Sequence, residues 1–173
     1  LVQSLLEKTQ MPRFRLSSLE PVELSDRLLD LYSDERMCPH FHMSIQSAES
    51  NTLNQMKRKY TSVDVEKSLQ QIASRYPQAF VGMDVIAGFP SETQEQFEET
   101  YARLADMPWT RIHVFPYSER TGTRAAVMDV SVPWQERLNR SQKLRELSLH
   151  IAIPRHMRLK TIKQSNSTAN RQQ

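Results

Sequence analysis

Short apolar segments alternate with longer amphipathic ones along most of this chain. Each long segment repeats its apolar residues every three or four positions, as in a helix that buries one face. The short segments are interpreted as four strands: Arg13–Ser17, His40–Ile45, Phe80–Ala87 and Arg111–Phe115. Strands and helices that alternate in this way are typical of a parallel sheet. The pattern therefore predicts an α/β fold, a partial (βα) barrel with about four parallel strands and outer helices.

Capping signals mark where several of the helices begin. Thr61 with Asp64, and Thr93 with Gln96, each form a capping box, in which two side chains bond the free amide groups of a first helical turn. Further helices are predicted in residues 1–10, after Pro21 and in residues 50–58, and a long one from Trp134 to His150 begins after Pro133. In that last helix, Trp134, Leu138 and Leu149 are interpreted as the face that packs into the core.

Composition and charge favour a single soluble domain with a basic end. The chain has 173 residues, of which 38% are hydrophobic, and its net charge is +3. Residues 155–173 contain five basic residues and no acidic one, so we expect residues 1–154 to form the domain and 155–173 a disordered basic tail. The chain contains no apolar run of about 18 residues and no leader pattern, which predicts a cytoplasmic protein without a membrane partner.

Two residue types are scarce enough to exclude whole classes of site. A single cysteine, Cys38, cannot form an intrachain disulfide or hold an iron–sulfur cluster by itself. Only 3 glycines leave no room for a glycine-rich phosphate loop. Cys38 is therefore interpreted as a small packed residue.

Ligands of parallel βα folds bind at the carboxyl ends of the strands. In this chain those ends are polar or interrupted by proline, at residues 17–21, 44–47, 84–90 and 114–118. Neutral donors and acceptors such as Gln46 predict a small polar ligand. Asp84 lies in an apolar strand, so its carboxylate needs a partner, in the protein or in a ligand.

Several motifs, in one order, resemble the radical S-adenosylmethionine methylthiotransferase family. They are Arg15-Leu-Ser-Ser-Leu-Glu-Pro21, Cys38-Pro-His-Phe-His42, Gln46-Ser47, Met56-Lys-Arg-Lys-Tyr-Thr61, Asp84-Val-Ile-Ala-Gly-Phe-Pro-Ser-Glu-Thr93, and Tyr117-Ser118 with Gly122-Thr123 and Ala125-Ala126. The stretch His113–Tyr117 is most similar to the branch that acts on threonylcarbamoyladenosine in tRNA. The branches that act on isopentenyladenosine or on a ribosomal protein stay open.

The resemblance implies a fold, a cofactor and a reaction. The four predicted strands would correspond to strands three to six of a six-stranded partial barrel, and residues 1–154 to the C-terminal part of the radical-SAM core. In the family, S-adenosylmethionine is cleaved at a four-iron four-sulfur cluster, and a second cluster supplies sulfur to carbon 2 of an adenosine beside the anticodon. The cluster cysteines would belong to a preceding part of the same enzyme, so the chain is expected to be a fragment that is inactive alone, with tRNA as its partner.

The resemblance also assigns candidate site residues. Gln46, Ser47 and Arg58 would hold the ribose and methionine ends of S-adenosylmethionine, and its adenine would lie against the backbone at Ile86 and Phe115. Further candidates, for substrate contact or for structure, are Ser18, Glu20, Asp84 and Tyr117. No metal ligand is predicted in this chain.

Two departures from the family pattern lie near the expected cofactor. Ala48 and Ser91 stand where the family usually has glycine, and each change removes a permissive backbone position. This favours a second hypothesis, a non-catalytic remnant that serves as a binding scaffold. A third hypothesis is an unrelated βα metalloenzyme that uses His40 and His42, although a packed or hydrogen-bonded role suits the two histidines better.

Overall fold

A three-stranded parallel sheet forms the centre of the protein in a computed structural model, which describes residues 1–152. The strands are β1 (His40–Gln46), β2 (Phe80–Ala87) and β3 (Arg111–Pro116), in the order β1-β2-β3. Both pairs are parallel, with His40 opposite Phe80 and Gly82 opposite Arg111. The α/β class and three of the predicted strands are thereby confirmed.

Six helices connect or flank these strands within the described residues. They are α1 (Val2–Lys8), α2 (Asp26–Asp30), α3 (Ser50–Gln55), α4 (Ser62–Arg75), α5 (Gln94–Asp106) and α6 (Trp134–Ala152). Short 3-10 turns occupy Pro21–Glu23, Leu31–Ser33 and Arg124–Val127. The helix predicted after Pro21 is thus split into a turn, α2 and a second turn.

The predicted capping boxes form as expected. Thr61 caps α4, with the side chain of Asp64 accepting from the Thr61 amide at 2.8 Å. Thr93 caps α5, where its hydroxyl accepts from the amide of Gln96 at 3.2 Å. These contacts satisfy amide groups that have no partner inside the helix, so the sequence defines both helix starts.

One face of the sheet packs against the helices and forms the core. Every second strand residue, such as Phe41, Met43 and Ile45 on β1, is buried on this face, since successive side chains of a strand point to opposite sides. The buried cluster continues with Val65, Leu69 and Ile72 of α4, Phe97 and Leu104 of α5, and Leu144 and Leu147 of α6. The helices therefore cover one face only.

The predicted strand Arg13–Ser17 does not form as a regular strand. This part of the chain makes two isolated parallel bridges, one between Phe14 and Met37, ahead of β1, and one between Leu19 and Met43 of β1. The two bridges are five residues apart on one side and six on the other, so a continuous register cannot be kept. Ser18 also has a left-handed backbone, with φ of 60°, which interrupts an extended run.

The interpretation of the last helix face was wrong for two of its three residues. Trp134 is 56% exposed and Leu149 is 70% exposed, and both lie away from the core. The buried face of α6 consists of Arg137, Arg140, Ser141, Leu144, Leu147 and Ser148. Four of these six buried residues are polar or charged, so a search for apolar periodicity selects the wrong side of the helix.

Two expectations concern regions beyond the sheet. Among residues 1–152, no helix is both long and apolar enough to cross a membrane. The predicted basic tail, residues 155–173, lies outside the described residues.

Candidate functional site

The face of the sheet opposite the core is lined by polar side chains and is partly open. We call it the open face, and its residues are His40, His42, Ser44 and Gln46 of β1, Phe80, Gly82, Asp84 and Ile86 of β2, and Arg111, His113 and Phe115 of β3. Parallel sheets are usually covered on both sides, so a polar open face marks a place where something else binds or packs. Two cavities divide this face, one at each end of the strands.

The carboxyl-end cavity has a volume of about 530 Å³. Its lining comes from the ends of all three strands and from the loop after β3: Gln46, Asp84, Ile86, Phe115, Pro116, Tyr117, Ser118, Arg120, Thr123 and Ala125. Five of the nine candidate residues, Gln46, Asp84, Ile86, Phe115 and Tyr117, thus lie around one space. Apolar walls with a few polar groups are typical of a small-molecule site.

Gln46 has a strained backbone at the end of β1. Its φ is 61°, in the left-handed region that side-chain-bearing residues rarely adopt. The register between β1 and β2 also shifts between Met43 and Gln46. A bulge at this point turns the chain away from the sheet, while the side chain of Gln46 still lines the cavity. Such strain is often found at functional sites.

Tyr117 brings a buried polar group to the same cavity. Its hydroxyl is shielded from solvent and has no hydrogen-bond partner within residues 1–152. Its ring packs edge-on against Phe89 at 5.4 Å, and the guanidinium of Arg137 lies 5.2 Å from the ring centre. A buried hydroxyl without a partner is unfavourable, so Tyr117 is a strained polar position beside this cavity.

Arg137 of α6 holds the loop that forms the rim of this cavity. Its guanidinium donates to the carbonyl oxygens of Val132 and Tyr117 at 2.7 and 3.0 Å, to Ser131 Oγ at 2.7 Å and to Glu119 Oε1 at 2.5 Å. The pairing with Arg137 lowers the pKa of the Glu119 carboxyl. Both ends of the segment 117–132 are therefore fixed to one buried side chain.

A second buried arginine, Arg140, fixes the loop after β2. It donates to Glu92 Oε2 at 2.8 Å and to the Glu92 carbonyl at 3.0 Å. The same carboxylate oxygen accepts from the Gly88 amide at 2.8 Å. Burial raises the pKa of Glu92, while the bonds from Arg140 and Gly88 oppose that shift. The Gly88–Glu92 turn thus depends on an ion pair with little access to water.

Asp84 obtains the partner that its position in an apolar strand requires. Its Oδ1 lies 3.1 Å from Nε2 of His42, and the other ring nitrogen of His42 is 3.1 Å from the Ser18 amide. An amide nitrogen can only donate, so Nδ1 must accept and the ring proton lies on Nε2. The geometry therefore fixes the ring orientation of His42, with Nε2–H donating to Asp84 Oδ1.

The remaining candidate residues lie outside the lining of this cavity. Ser47 is fully buried behind the strand, where its Oγ lies 3.1 Å from the hydroxyl of Thr100. Arg58 pairs with Glu20 at 2.6 Å. Ser18 lines the second cavity, described below. Of these four residues, Ser47 thus makes a buried hydrogen bond, Arg58 and Glu20 form an ion pair, and Ser18 belongs to the other cavity.

Sequence reasoning missed the residues that shape the rim. Ser118, Arg120, Thr123 and Ala125 lie in or next to the quoted Tyr117–Ala126 motif, so the motif itself was the available signal. Arg137 and Arg140 offered a weaker one, two arginines three positions apart on the stripe that also carries Leu144 and Leu147. Their partners are far away in the chain, so their role became visible only in the folded structure.

The amino-end cavity lies at the other end of the open face and measures about 650 Å³. It is lined by Arg13, Arg15, Ser17, Ser18, Cys38, His40, His42, Phe80, Arg111 and His113. The metalloenzyme hypothesis would place its ligands here. Among residues 1–152, however, no group of three or more His, Cys, Asp or Glu residues is arranged to hold a metal ion. His42 already uses both ring nitrogens.

Comparisons with known proteins point to one enzyme family. The chain is 36% identical over 149 residues to the threonylcarbamoyladenosine tRNA methylthiotransferase MtaB of Treponema pallidum, covering 84% of this chain and 31% of that protein. For the protein of the same name from Rickettsia prowazekii, identity is 41%, over 79% of this chain and 32% of that protein. A tRNA-2-methylthio-N(6)-dimethylallyladenosine synthase of Caldicellulosiruptor saccharolyticus is 34% identical, over 90% of this chain and 34% of that protein.

Solved structures give a match in fold. Coproporphyrinogen III oxidase of Escherichia coli, described as a radical SAM enzyme, superposes with a TM-score of 0.63 over 76% of this chain and 30% of that chain. The sequence identity is 22%, so this likeness concerns the fold alone. A scan against protein-family models finds no match.

The chain spans about a third of the length of the curated relatives that it matches. Over that span, identity of 34 to 41% agrees with the motifs and with the parallel α/β fold. By its sequence, the chain belongs to the radical S-adenosylmethionine methylthiotransferase family, and it is most similar to the branch named for threonylcarbamoyladenosine tRNA.

Proposed function

We propose that this chain supplies part of the S-adenosylmethionine-binding core of a tRNA methylthiotransferase, and that the carboxyl-end cavity receives the cofactor. The observation that carries the proposal is the convergence of Gln46, Ile86, Phe115 and Tyr117 around one cavity in a chain of this family. The most similar relatives favour an adenosine that carries a threonylcarbamoyl group as the substrate.

The residues of the cavity fit the adenosine part of S-adenosylmethionine. Adenine needs a flat apolar slot, and Ile86 and Phe115 are adjacent across β2 and β3 at the cavity. Polar groups of the ribose need donors and acceptors, which Gln46 and Ser118 in the lining offer. The chemistry that the family resemblance attributes to the bound cofactor is hydrogen abstraction from the substrate.

Three other candidate residues, Asp84, Ser47 and Arg58, are assigned roles in the charge and the shape of the carboxyl-end cavity. His42 bonds to the Asp84 carboxylate at the boundary between the two cavities. The negative charge of Asp84 then lies beside the proposed cofactor site. Such a charge favours the positively charged sulfonium of S-adenosylmethionine. Ser47 and Arg58 lie beyond the lining, so we assign them to fixing the end of β1 and its neighbouring segment.

An iron–sulfur cluster does not fit the residues described. Such clusters need several cysteine thiolates, whereas Cys38 is the one cysteine of the chain. Cys38 lines the amino-end cavity, away from the residues proposed for the cofactor. No step of the reaction is therefore assigned to a cluster held by this chain.

A titration with S-adenosylmethionine tests the binding part of the proposal. Without cluster ligation, only hydrogen bonds and stacking hold the ligand, so we expect a Kd on the order of millimolar. NMR shifts should concentrate at Gln46, Ile86, Phe115 and Tyr117. Phe115→Ala should weaken binding, while Tyr101→Ala, which removes an exposed ring on α5, should not. Shifts confined to residues outside the cavity would contradict the proposal.

The substrate is tested in the source organism. Disruption of the gene should remove the methylthio group from threonylcarbamoyladenosine in tRNA, as measured by mass spectrometry of tRNA nucleosides. The gene with Tyr101→Ala should restore the modification, whereas the gene with Phe115→Ala should restore less. Loss from dimethylallyladenosine instead would assign the chain to the branch of the Caldicellulosiruptor relative.

A non-catalytic binding scaffold is the second candidate. Ser91, which stands at a usual family glycine, has a left-handed backbone with φ of 69°. A side chain at this left-handed position costs stability that glycine would not, and this departure from the family pattern beside the proposed cofactor loop favours a chain that keeps the scaffold without turnover. Unchanged tRNA nucleosides after gene disruption, together with retained binding of S-adenosylmethionine, would support the scaffold.

A further inference from the structure

Arginines from three separate parts of the chain converge on the amino-end cavity. Arg13 and Arg15 come from the segment before β1, and Arg111 is the first residue of β3. His40 and His113 complete the basic lining from β1 and β3. Because all of the strands are parallel, their amino ends meet at one edge of the open face. The cluster is thus a product of the fold and not a run of basic residues in the sequence.

The positive charge of this cavity is not balanced by the protein. None of the ten residues that line it is an Asp or a Glu. Within residues 1–152, neither Arg15 nor Arg111 forms an ion pair, and the one bond of Arg13 goes to Cys38 Sγ at 3.5 Å. The carboxylate of Asp84, which contacts His42 of the lining, lies outside the lining itself. Three guanidinium groups around one space repel one another, and an anion would relieve that repulsion.

His40 adds a further basic ring to the lining of this cavity. Its Nε2 is shielded from solvent and has no hydrogen-bond partner among the residues described. The ring is held in place against Phe80, with 4.7 Å between ring centres. A buried ring nitrogen without a partner is unfavourable in this fold, and the accessible part of the ring still lines the cavity beside the arginines.

The donors identify the chemical class of the ligand. Guanidinium groups present several N–H donors in a planar fork, which matches the oxygens of a phosphate group. The hydroxyls of Ser17 and Ser18 lie in the same lining and offer further donors. A positively charged ligand such as S-adenosylmethionine would be repelled here, so this cavity differs in preference from the one at the carboxyl end.

We propose that the amino-end cavity is a binding site for a phosphate group, held between Arg15 and Arg111. The group can belong to a free phosphate compound or to a nucleic-acid backbone, and both sources share the same oxygens and charge. This inference goes beyond the proposed function, because it concerns the opposite end of the sheet and does not depend on cofactor binding.

The test is a titration of the full chain with inorganic phosphate and with pyrophosphate, followed by NMR of the histidine rings. The resonances of His40 and His113 should shift in a saturable manner. Arg111→Gln should weaken binding about tenfold, the usual effect of losing one charge-assisted bond. Arg111→Lys keeps the charge but loses the fork, so it should weaken binding by a smaller factor.

The matched control is Arg103→Gln, which removes the same charge from the exposed side of α5. It should leave the affinity unchanged. Equal weakening by Arg103→Gln and Arg111→Gln would overturn the proposal, because binding would then follow net charge alone. Shifts that avoid His40 and His113 would overturn it as well. Circular dichroism and thermal melting establish that each variant is folded.

A short RNA oligonucleotide separates the two sources of phosphate. If the natural ligand is a nucleic-acid backbone, RNA should shift the His40 and His113 resonances, and pyrophosphate should displace it. The affinity for RNA should also fall steeply with added salt. If RNA leaves both rings unchanged while pyrophosphate shifts them, the site is one for a small phosphate compound.

Discussion

Two buried arginines behind the carboxyl-end cavity contrast with two exposed ones that line the amino-end cavity, although Arg120, in the lining of the carboxyl-end cavity, is exposed as well. At the carboxyl end, Arg137 and Arg140 are buried, and their donors are used by carbonyl oxygens and by the carboxylates of Glu119 and Glu92. At the amino end, Arg15 and Arg111 are exposed and have no ion pair within the described residues. The same side chain thus serves as a structural connector in one place and as a free group in the other.

This difference shows that the hydrogen-bond partners of an arginine, and not the residue type, decide whether it stabilises the fold or is available to bind a ligand. A buried arginine whose bonds are all made stabilises the loops around it and has no donor left for a ligand. An exposed arginine that shares a cavity with others adds little to stability, and its donors stay available. Arginine substitutions at the two ends should therefore affect different properties.

The largest predicted effect comes from removing an arginine at each end. Arg140→Met leaves the Glu92 carboxylate buried without its ion pair, which should lower the free energy of unfolding by about 3–5 kcal/mol. Arg111→Gln should change it by no more than about 0.5 kcal/mol. Urea unfolding of the two variants measures both values. Equal destabilisation would remove the distinction between the two cavities.

A double variant separates the charge of Glu92 from the packing of Arg140. Glu92→Gln in the Arg140→Met background removes the unpaired charge, so part of the lost stability should return. No recovery would mean that the packing of Arg140 over the Phe97 ring, at 5.3 Å, accounts for the loss instead.

The next effect concerns the glycines that border the two cavities. At Gly88, with φ of 75°, an added Cβ would lie 2.5 Å from Arg137 Cγ and 3.2 Å from its Cα. Left-handed strain and overlap together should make Gly88→Ala cost about 3 kcal/mol. Gly122 has φ of 82° but open space around it, so Gly122→Ala measures the strain alone, about 1–2 kcal/mol. Thermal melting should rank the variants in that order.

Gly82→Ala is the corresponding change at the amino end. Its Cβ would lie 3.1 Å from Phe80 Cε1, and 3.7 and 3.8 Å from the rings of His42 and His113. Phe80 is partly exposed and can move, so stability should change by no more than about 0.5 kcal/mol. Phosphate binding should weaken, because the methyl group enters the lining. A large loss of stability would show that the lining is rigid.

The sequence predicted the elements that depend on neighbouring residues. It did not predict the elements whose conformation depends on residues far away in the chain. The capping boxes at Thr61 and Thr93 act within four residues, and both helices begin where expected. The short apolar segment between two amphipathic ones likewise predicted that strand, from Phe80 to Ala87. By contrast, the segment at Arg13–Ser17 has strand-like residues, but its pairing with β1 is broken by the left-handed Ser18. That conformation was not visible in the residue types.

The candidate site residues show the same difference between local and distant signals. Positions at strand ends, such as Ile86 and Phe115, could be placed from the parallel pattern, and they line the carboxyl-end cavity. Ser47 directly follows Gln46 but points into the core, because neighbouring strand residues alternate between faces. The amino-end cavity was not predicted at all. Its arginines are separated by about 100 residues in the chain, and only the fold brings them together.

A smaller change in the free energy of unfolding is expected at Ser91 and Ala48, the two positions at which the family usually has glycine. Ser91 has φ of 69°, so Ser91→Gly should relieve strain and raise the free energy of unfolding by about 1 kcal/mol. Ala48 is fully buried and its backbone is not left-handed, so Ala48→Gly should lower stability by about 0.5–1 kcal/mol. Urea unfolding of both variants measures the contrast. Changes of the same sign would mean that backbone strain is not the cause.

The smallest effect is a pH dependence at His40. Burial, and then the nearby Arg15 and His42, lower the pKa of His40 below its ordinary value of 6.5. The other charged or titratable groups that line the same cavity are Arg13, Cys38, Arg111 and His113. The unfolded chain therefore takes up the proton first, and stability falls as the pH decreases below about 6.5.

A bound phosphate should reverse this behaviour and so sharpen the contrast between the two cavities. The anion favours the charged form of His40, so phosphate should raise the pKa of His40 and make the chain less sensitive to acid. NMR titration of the His40 ring with and without pyrophosphate measures the shift. S-adenosylmethionine, which is proposed to bind at the other end, should leave the titration unchanged. If both ligands moved the pKa of His40 equally, the two cavities could not be independent sites.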